Sequence, residues 1–284
     1  SCCCISSLIY YVGLFVIASK VLPFLYKKIA GKKPIELQEK NYKKDVVYLY
    51  QLQGTPTSSS FSPYCIKVEA FCRLHNITVE RRNTVSARGS NGLLPFIELN
   101  GEQHADSQII VKRLTQIFKL KAYPDEQTAA VGHAIDRLLD NHTFLLMVLT
   151  RVPVMDKLVA FIAAPKVPAF ILPLVAALGG HIGGITVRRR LEMPVLTLYD
   201  FLNTILFRND LTQLQTILGK KKFMVAEEPT AVDCTAFNHF GTFYYALPAS
   251  RNNLHAMLDS TEFAVLKEYV ERCKERLFGN EFCD

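Results

Sequence analysis

The stretch that decides the fold of this chain is Ser62-Pro63-Tyr64-Cys65-Ile66-Lys67-Val68-Glu69. Serine is a favoured residue immediately before a helix, and proline is favoured in the first helical turn, so we expect a helix to begin here. A β-branched and aromatic run at 46–52 precedes it and predicts a buried strand. The unpaired amides at the start of such a helix favour an anion, including a thiolate.

Two further motifs follow in a fixed order. Leu94-Pro95 leads into a strand at 95–99, and the turn dipeptide Asn100-Gly101 predicts a hairpin with a short returning strand. Asp106-Ser107 then opens an amphipathic helix. With another strand expected at 77–82, the order is typical of a thioredoxin-like α/β domain, which we place at 45–120.

The second half of the chain reads as helical. After a linker at 121–125, residues 126–150 predict one long helix with four polar side chains, His133, Arg137, Asp140 and His142. These side chains could line a cleft, but we favour a solvated face. Thr230 and Asp233 form a capping box with a structural role. The fold class is therefore α+β, with an all-α C-terminal domain at 126–284.

An apolar insertion at about 152–187 interrupts the helical half. It contains Pro165, Pro168 and Pro173 and two pairs of glycines. Prolines at this spacing favour a kinked buried segment or a lid. The alternative is a second hairpin that contacts a membrane.

The first 44 residues predict a membrane anchor and a basic linker. The chain is almost wholly apolar from Ile5 to Tyr26, and a spanning helix needs about 20 such residues. Lysines follow it, which places the globular part on the cytoplasmic side. A cleaved signal peptide is the competing interpretation, but its basic residues would precede the apolar run.

Composition excludes several function classes. The formal net charge is +7, yet no aromatic platform or recognition motif accompanies the basic residues, so we expect no nucleic-acid partner. The eight cysteines contain no C-x-x-C pair and are too scattered to predict a metal site or a disulfide framework.

The residues at 62–69, 94–101, 106–107, 218–223 and 228–230 resemble the glutathione transferase superfamily. The resemblance is strongest to its metazoan branch, which includes metaxins, the failed-axon-connections proteins and the nematode cadmium-responsive proteins. It implies glutathione as cosubstrate, with no permanently bound cofactor. The implied glutathione-binding residues are Ser62, Leu94, Pro95, Asp106 and Ser107.

The resemblance also implies a catalytic role for Ser62, whose hydroxyl would donate to the sulfur of glutathione, with Ser60 as runner-up. Asp106 and Ser107 would hold the γ-glutamyl end, or would only cap a helix. In glutaredoxins the tetrapeptide begins with cysteine. Because Ser62 stands in that place, dithiol redox chemistry is disfavoured, and Cys65 is expected to be a buried packing thiol.

Two functions remain as hypotheses. The first is a membrane-tethered transferase-like protein that binds glutathione and acts in detoxification or in the response to heavy metals such as cadmium. The second is a non-catalytic member that binds a protein or membrane partner. The resemblance further implies a lysosomal membrane address and a homodimer, which the insertion or the anchor could block.

Overall fold

The computed structural model describes residues 35–150, 160, 168–178, 199–245 and 253–282. The chain from Glu39 onward forms one compact unit. The predicted anchor at 5–26 and most of the apolar insertion lie outside the described residues. Within the described ranges, no helix combines the length and apolar character needed to cross a membrane.

A four-stranded mixed sheet forms the first domain. Its strands are β1 (Val47–Gln51), β2 (Val79–Asn83), β3 (Phe96–Leu99) and β4 (Glu102–Ala105), in the order β2-β1-β3-β4. β1 is parallel to β2 and antiparallel to β3, and β3 is antiparallel to β4. Asn100 and Gly101 both have positive φ, 51° and 83°, as a two-residue hairpin turn requires. The predicted hairpin is confirmed.

Two helices complete this domain, α1 (Pro63–Leu74) and α2 (Ser107–Ile117). α1 is buried along most of its length because it lies between β1 and the helical domain. Ile66, Val68 and Phe71 are all fully buried in one core cluster that spans both domains. Each such side chain contributes about 1.5–3 kcal/mol to folding.

The helical domain contains α3 to α8, with short 3₁₀ turns at Thr261–Phe263 and Gly279–Phe282. The helices are α3 (Glu126–Leu138), α4 (Phe144–Leu149), α5 (Tyr199–Leu218), α6 (Ala231–Tyr245), α7 (Asn253–Leu258) and α8 (Ala264–Leu277). α5 ends at Gly219, whose φ of 55° lies in the left-handed region.

The prediction of one regular helix over 126–150 is wrong in detail. A π-helical turn at Leu139–Thr143 separates α3 from α4. This wider turn holds Asp140 and Thr143, which are both buried and hydrogen-bonded to side chains of distant helices. We attribute the departure from regular α-helix to these buried contacts, since such turns accompany sites where side chains must be re-aimed.

Asp233 fixes the start of α6. Its carboxylate accepts hydrogen bonds from the amide and hydroxyl of Thr230, from the amide of Met224 at 2.8 Å and from the hydroxyl of Tyr269 at 2.7 Å. Burial raises its pKa, while these four donors act in the opposite direction. These contacts tie the loop before α6 to α8. The role of the Asp233 carboxylate is therefore structural.

The described part of the apolar insertion is not buried. Residues 172–178 are helical, and of residues 168–178 only Ala176 is buried. The expected kinked buried segment is therefore wrong for these eleven residues. None of these residues has a polar side chain, so a preference of polar groups for water does not explain their exposure. They form an apolar surface that is not packed against the described part of the chain.

Candidate functional site

The three sequence motifs meet at one end of the sheet. Ser62 follows the carboxyl end of β1, where Tyr50 pairs with Phe96 at the start of β3. Phe96 directly follows Pro95 and pairs in turn with Ala105, the last residue of β4, which Asp106 follows. The strand register therefore brings Leu94-Pro95 and Asp106-Ser107 to this end of the sheet, and a hydrogen bond from the Phe61 amide to the Gln53 carbonyl, at 3.0 Å, returns the chain to β1 just before Ser62. We call this end of the sheet, with those five residues, the motif edge.

The Leu94–Pro95 peptide bond is cis. Pro95 is buried and Leu94 is half-buried. β3 begins at Phe96, so the backbone of Leu94 lies just beyond the hydrogen-bonded ladder that joins β3 to β1. An extended peptide can hydrogen-bond to backbone groups at such a position.

Ser62 precedes α1, but its hydroxyl does not cap the helix. Its backbone is extended, with φ −100° and ψ 122°, and Pro63 occupies the first helical position. No first-turn amide donates to its side chain. The expected capping hydrogen bond is therefore absent. The half-buried Ser62 hydroxyl accepts no hydrogen bond from the first-turn amides of α1.

Ser60 is placed differently. It is fully buried, its hydroxyl donates to the carbonyl of Leu52 at 2.8 Å, and the same oxygen accepts from the amide of Ser62 at 3.2 Å. Ser58 and Ser59 are also fully buried. The hydroxyl-rich loop thus turns most of its serines inward and holds the chain that leads into α1.

Cys65 lies one turn into α1 and is fully buried. Burial raises the pKa of its thiol to about 11, against the weaker opposing effect of the neighbouring Ser62 hydroxyl. The thiol is therefore protonated at neutral pH, and a protonated thiol is a poor nucleophile. Its environment is that of a packing residue, as the sequence indicated.

Asp106 caps α2 from a left-handed backbone conformation, with φ 79°. Its Oδ1 accepts from the amides of Gln108 at 2.9 Å and Ile109 at 3.3 Å. Neither bond uses Oδ2, and Asp106 is exposed while Ser107 is buried. One carboxylate oxygen is thus committed to the helix, and the other takes no part in the cap.

Sequence reasoning missed a second group of charged residues, which joins the two domains. Lys67 of α1 is 3 % exposed and donates to Asp136 at 2.6 Å and to Asp140 at 3.1 Å. The Gln108 amide of α2 donates to the same two carboxylates, and Thr235 and His239 of α6 contact one each. We call these residues the interdomain cluster: Lys67, Gln108, Asp136, Asp140, Thr235 and His239.

The assignment of Asp140 to a solvated face is wrong. Burial opposes its ionisation, but the hydrogen bond from His239 and the charge of Lys67 hold its pKa well below the usual range. Burial also lowers the pKa of His239, so the ring is neutral and its Nε2 donates to Asp140 at 2.6 Å. Of the other side chains assigned to that face, His133 is exposed, whereas His142 is paired with Asp210 at 2.9 Å.

Tyr64 connects the motif edge to the interdomain cluster. Its ring packs edge-on against His239, with 5.7 Å between centroids, and against Phe144 of α4 at 5.2 Å. Beside the cluster lies a cavity of about 530 Å³, bordered by Lys67, Gln108, Asp136 and Tyr123 among others. Residues of both domains therefore border this cavity.

In the described part of the chain, no three or more His, Cys, Asp or Glu side chains are grouped so that they could hold a metal ion. The described cysteines, Cys65, Cys72, Cys234 and Cys273, are all buried free thiols.

Comparison with known proteins gives a consistent family. Residues 63–158 match the model of a glutathione S-transferase N-terminal domain, and residues 207–273 match a glutathione S-transferase C-terminal domain. The failed axon connections protein of Drosophila melanogaster is 32% identical over 260 residues, which is 86% of this chain and 61% of that protein. The chain thus spans less than two thirds of this relative.

Solved structures share the fold at low identity. The beta-etherase LigF of Sphingobium sp. strain SYK-6 superposes with a TM-score of 0.58 at 13% identity, covering 83% of this chain and 98% of LigF. A Ceriporiopsis subvermispora glutathione S-transferase, solved with glutathione, gives 0.54 at 14% identity, covering 81% of this chain and 97% of the other.

Proposed function

Because the chain belongs to the glutathione S-transferase-like superfamily, we propose that it binds glutathione at the motif edge and uses the bound thiolate in a transferase reaction. The observation that carries this proposal is the strand register. Together with the loop that returns to β1 before Ser62, this register supports a single site for Ser62, Leu94-Pro95 and Asp106-Ser107.

Each residue has a distinct task in the proposed complex. The backbone of Leu94 pairs with the extended tripeptide, as cis-proline segments allow. The γ-glutamyl carboxylate lies at the N-terminus of α2, where the Ser107 hydroxyl and the helix dipole favour an anion. The ammonium of the same group meets Oδ2 of Asp106, which the helix cap leaves unused.

Ser62 acts on the reacting sulfur. The start of α1 stabilises an anion, so glutathione bound there loses its thiol proton to solvent more readily. The Ser62 hydroxyl then donates to the thiolate, which attacks an electrophile and expels its leaving group. Geometry favours Ser62 over Ser60, because the Ser60 hydroxyl is fully buried and already donates to Leu52.

The cellular setting is also part of the proposal. The apolar run at 5–26 would tether the protein to a membrane, with residues 45–284 on the cytoplasmic side. The family resemblance supports a role in detoxification or cadmium stress at a lysosomal membrane. Glutathione would supply the metal ligand, because its thiolate binds soft metals and the chain then needs no metal site of its own.

A second candidate function is partner binding without catalysis. The observation that favours it is the closeness of the Ser62 hydroxyl to the buried Cys65 thiol, whose pKa it affects. A hydroxyl engaged with Cys65 would not be available to a ligand. Under this alternative the motif edge keeps the fold's geometry but holds a protein segment in place of glutathione.

Calorimetry and kinetics on the full chain separate these functions. We expect saturable heat with glutathione and turnover with a general electrophile. Ser62→Ala should lower kcat by about a hundredfold, the usual cost of losing one donor to a developing or bound anion, with little change in glutathione affinity. Ser260→Ala, far from the motif edge, is the matched control. Absence of both glutathione heat and turnover would support the alternative.

A further inference from the structure

Residues 168–178 present a continuous apolar surface to solvent. The sequence is Pro-Ala-Phe-Ile-Leu-Pro-Leu-Val-Ala-Ala-Leu, and it becomes helical at 172. Phe170, Leu174 and Leu178 are 85%, 60% and 57% exposed. Leu174 and Leu178 are four residues apart and lie on one side of the helical segment, and Phe170 lies in the turn just before it. This surface differs from single exposed apolar residues, which are common and need no partner.

The backbone of the segment is already paired within itself. The amides of Ile171 and Leu172 both donate to the carbonyl of Pro168, at 3.0 and 3.1 Å, and the amide of Val175 donates to Ile171 at 3.1 Å. Pro168 and Pro173 have no amide hydrogen to satisfy. A segment with internally paired amides and no polar side chain can enter a hydrocarbon environment at low cost.

The sequence around the segment carries charge of one sign. No acidic residue occurs between Asp156 and Glu192, whereas that interval contains five basic residues, Lys157, Lys166, Arg188, Arg189 and Arg190. Basic residues next to an apolar membrane contact are attracted to anionic lipid headgroups, each by about 1 kcal/mol near the surface. This one-sided positive charge favours an anionic surface beside the apolar segment.

We propose that residues 168–178 form an interfacial membrane contact. Phe170, Leu174 and Leu178 enter the boundary between headgroups and acyl chains of an anionic bilayer. This contact is separate from the N-terminal segment and does not depend on glutathione binding. Together, the two contacts would hold the protein to the membrane at more than one point.

The chain contains no tryptophan, so one introduced tryptophan reports on its own surroundings. The test uses full-length Phe170→Trp mixed with vesicles of phosphatidylcholine and phosphatidylserine. Leu93→Trp is the matched control, because Leu93 is also an exposed apolar residue, 63% exposed, in the first domain. Tethering through the N-terminal segment alone would shift neither emission spectrum.

The expected result is a blue shift and quenching by brominated lipid for Phe170→Trp but not for Leu93→Trp. Adding Leu174→Ser to Phe170→Trp should weaken the vesicle-dependent shift by at least about tenfold in lipid concentration, since a leucine side chain leaves the membrane contact. Vesicles of phosphatidylcholine alone should give a weaker response.

Three results would overturn the proposal. They are an unchanged Phe170→Trp spectrum with anionic vesicles, equal shifts at both positions, and a blue shift that appears without lipid and grows with protein concentration. The last would show that a second copy of the chain covers this surface.

Discussion

The motif edge and the interdomain cluster lie on the same two helices and use polar residues in opposite ways. Ser62 and Lys67 are both on or beside α1, and Ser107 and Gln108 are neighbours on α2. At the motif edge the Ser62 hydroxyl and Oδ2 of Asp106 stay outside the helix caps. In the interdomain cluster the Lys67 ammonium and both aspartates are engaged with one another. The first arrangement suits a ligand, and the second suits domain packing.

The largest expected effect separates the two regions by stability. Lys67→Met removes the cation between Asp136 and Asp140 and leaves buried carboxylates without it. We expect the free energy of unfolding to fall by about 3–5 kcal/mol, as when one partner of a buried ion pair is removed. Chemical denaturation measures this. Lys112→Met, at an exposed position on α2, is the control and should stay within about 0.5 kcal/mol of the parent.

Asp106 should show a smaller effect that divides its two tasks. Asp106→Ala removes the cap of α2 and should cost about 1 kcal/mol or somewhat more, because alanine also tolerates the positive φ poorly. Asp106→Asn keeps the capping oxygen and should be nearly neutral in stability. If Asp106 holds the ammonium of glutathione, however, the asparagine variant should still bind glutathione more weakly. Unaltered affinity in Asp106→Asn would reduce the residue to a helix cap.

The smallest effect concerns pH. Burial lowers the pKa of His239 in the folded protein, so the unfolded chain binds its proton more readily. The stability contributed by neutral His239 is therefore complete above the unfolded pKa of about 6.5 and is lost as pH falls through the lower folded pKa. The charges of Asp140, Lys67 and Asp136 also act on the pKa of His239.

His239→Gln should flatten the acid side of the stability profile, since glutamine can donate to Asp140 without titrating. His75 and His104 also have pKa values lowered by burial, so the wild-type profile contains their contributions as well. The difference between wild type and His239→Gln isolates the single residue. An identical slope below pH 6.5 in both proteins would remove His239 from the explanation.

The sequence was sufficient for the motif edge because its signals are local. Ser62-Pro63 before an apolar helix, a proline before a strand, Asn100-Gly101 between two strands and Asp106-Ser107 each specify backbone within a few residues. Strand pairing then brings Pro95 and Asp106-Ser107 together, and the hydrogen bond between Phe61 and Gln53 returns the chain to the same end of the sheet before Ser62.

The interdomain cluster could not be predicted from the sequence in the same way. Lys67 and Asp140 are 73 residues apart, and each alone looks like a charged residue on the polar side of a helix. Their burial depends on how α3, α6 and α1 pack, and the π turn at Leu139–Thr143 has no sequence pattern that we could have used. The Ser62 hydroxyl was misassigned as a cap for a related reason, since local preference names a capping residue but not the direction of its side chain.

Hydrogen–deuterium exchange of the full chain, with and without glutathione, tests the central claim most directly. The three motifs should gain protection together, in peptides covering 62–66, 94–97 and 106–110, while peptides covering the interdomain cluster at 135–143 stay unchanged. Absence of protection at glutathione concentrations in the millimolar range, or protection confined to one motif, would contradict a single glutathione site at the motif edge.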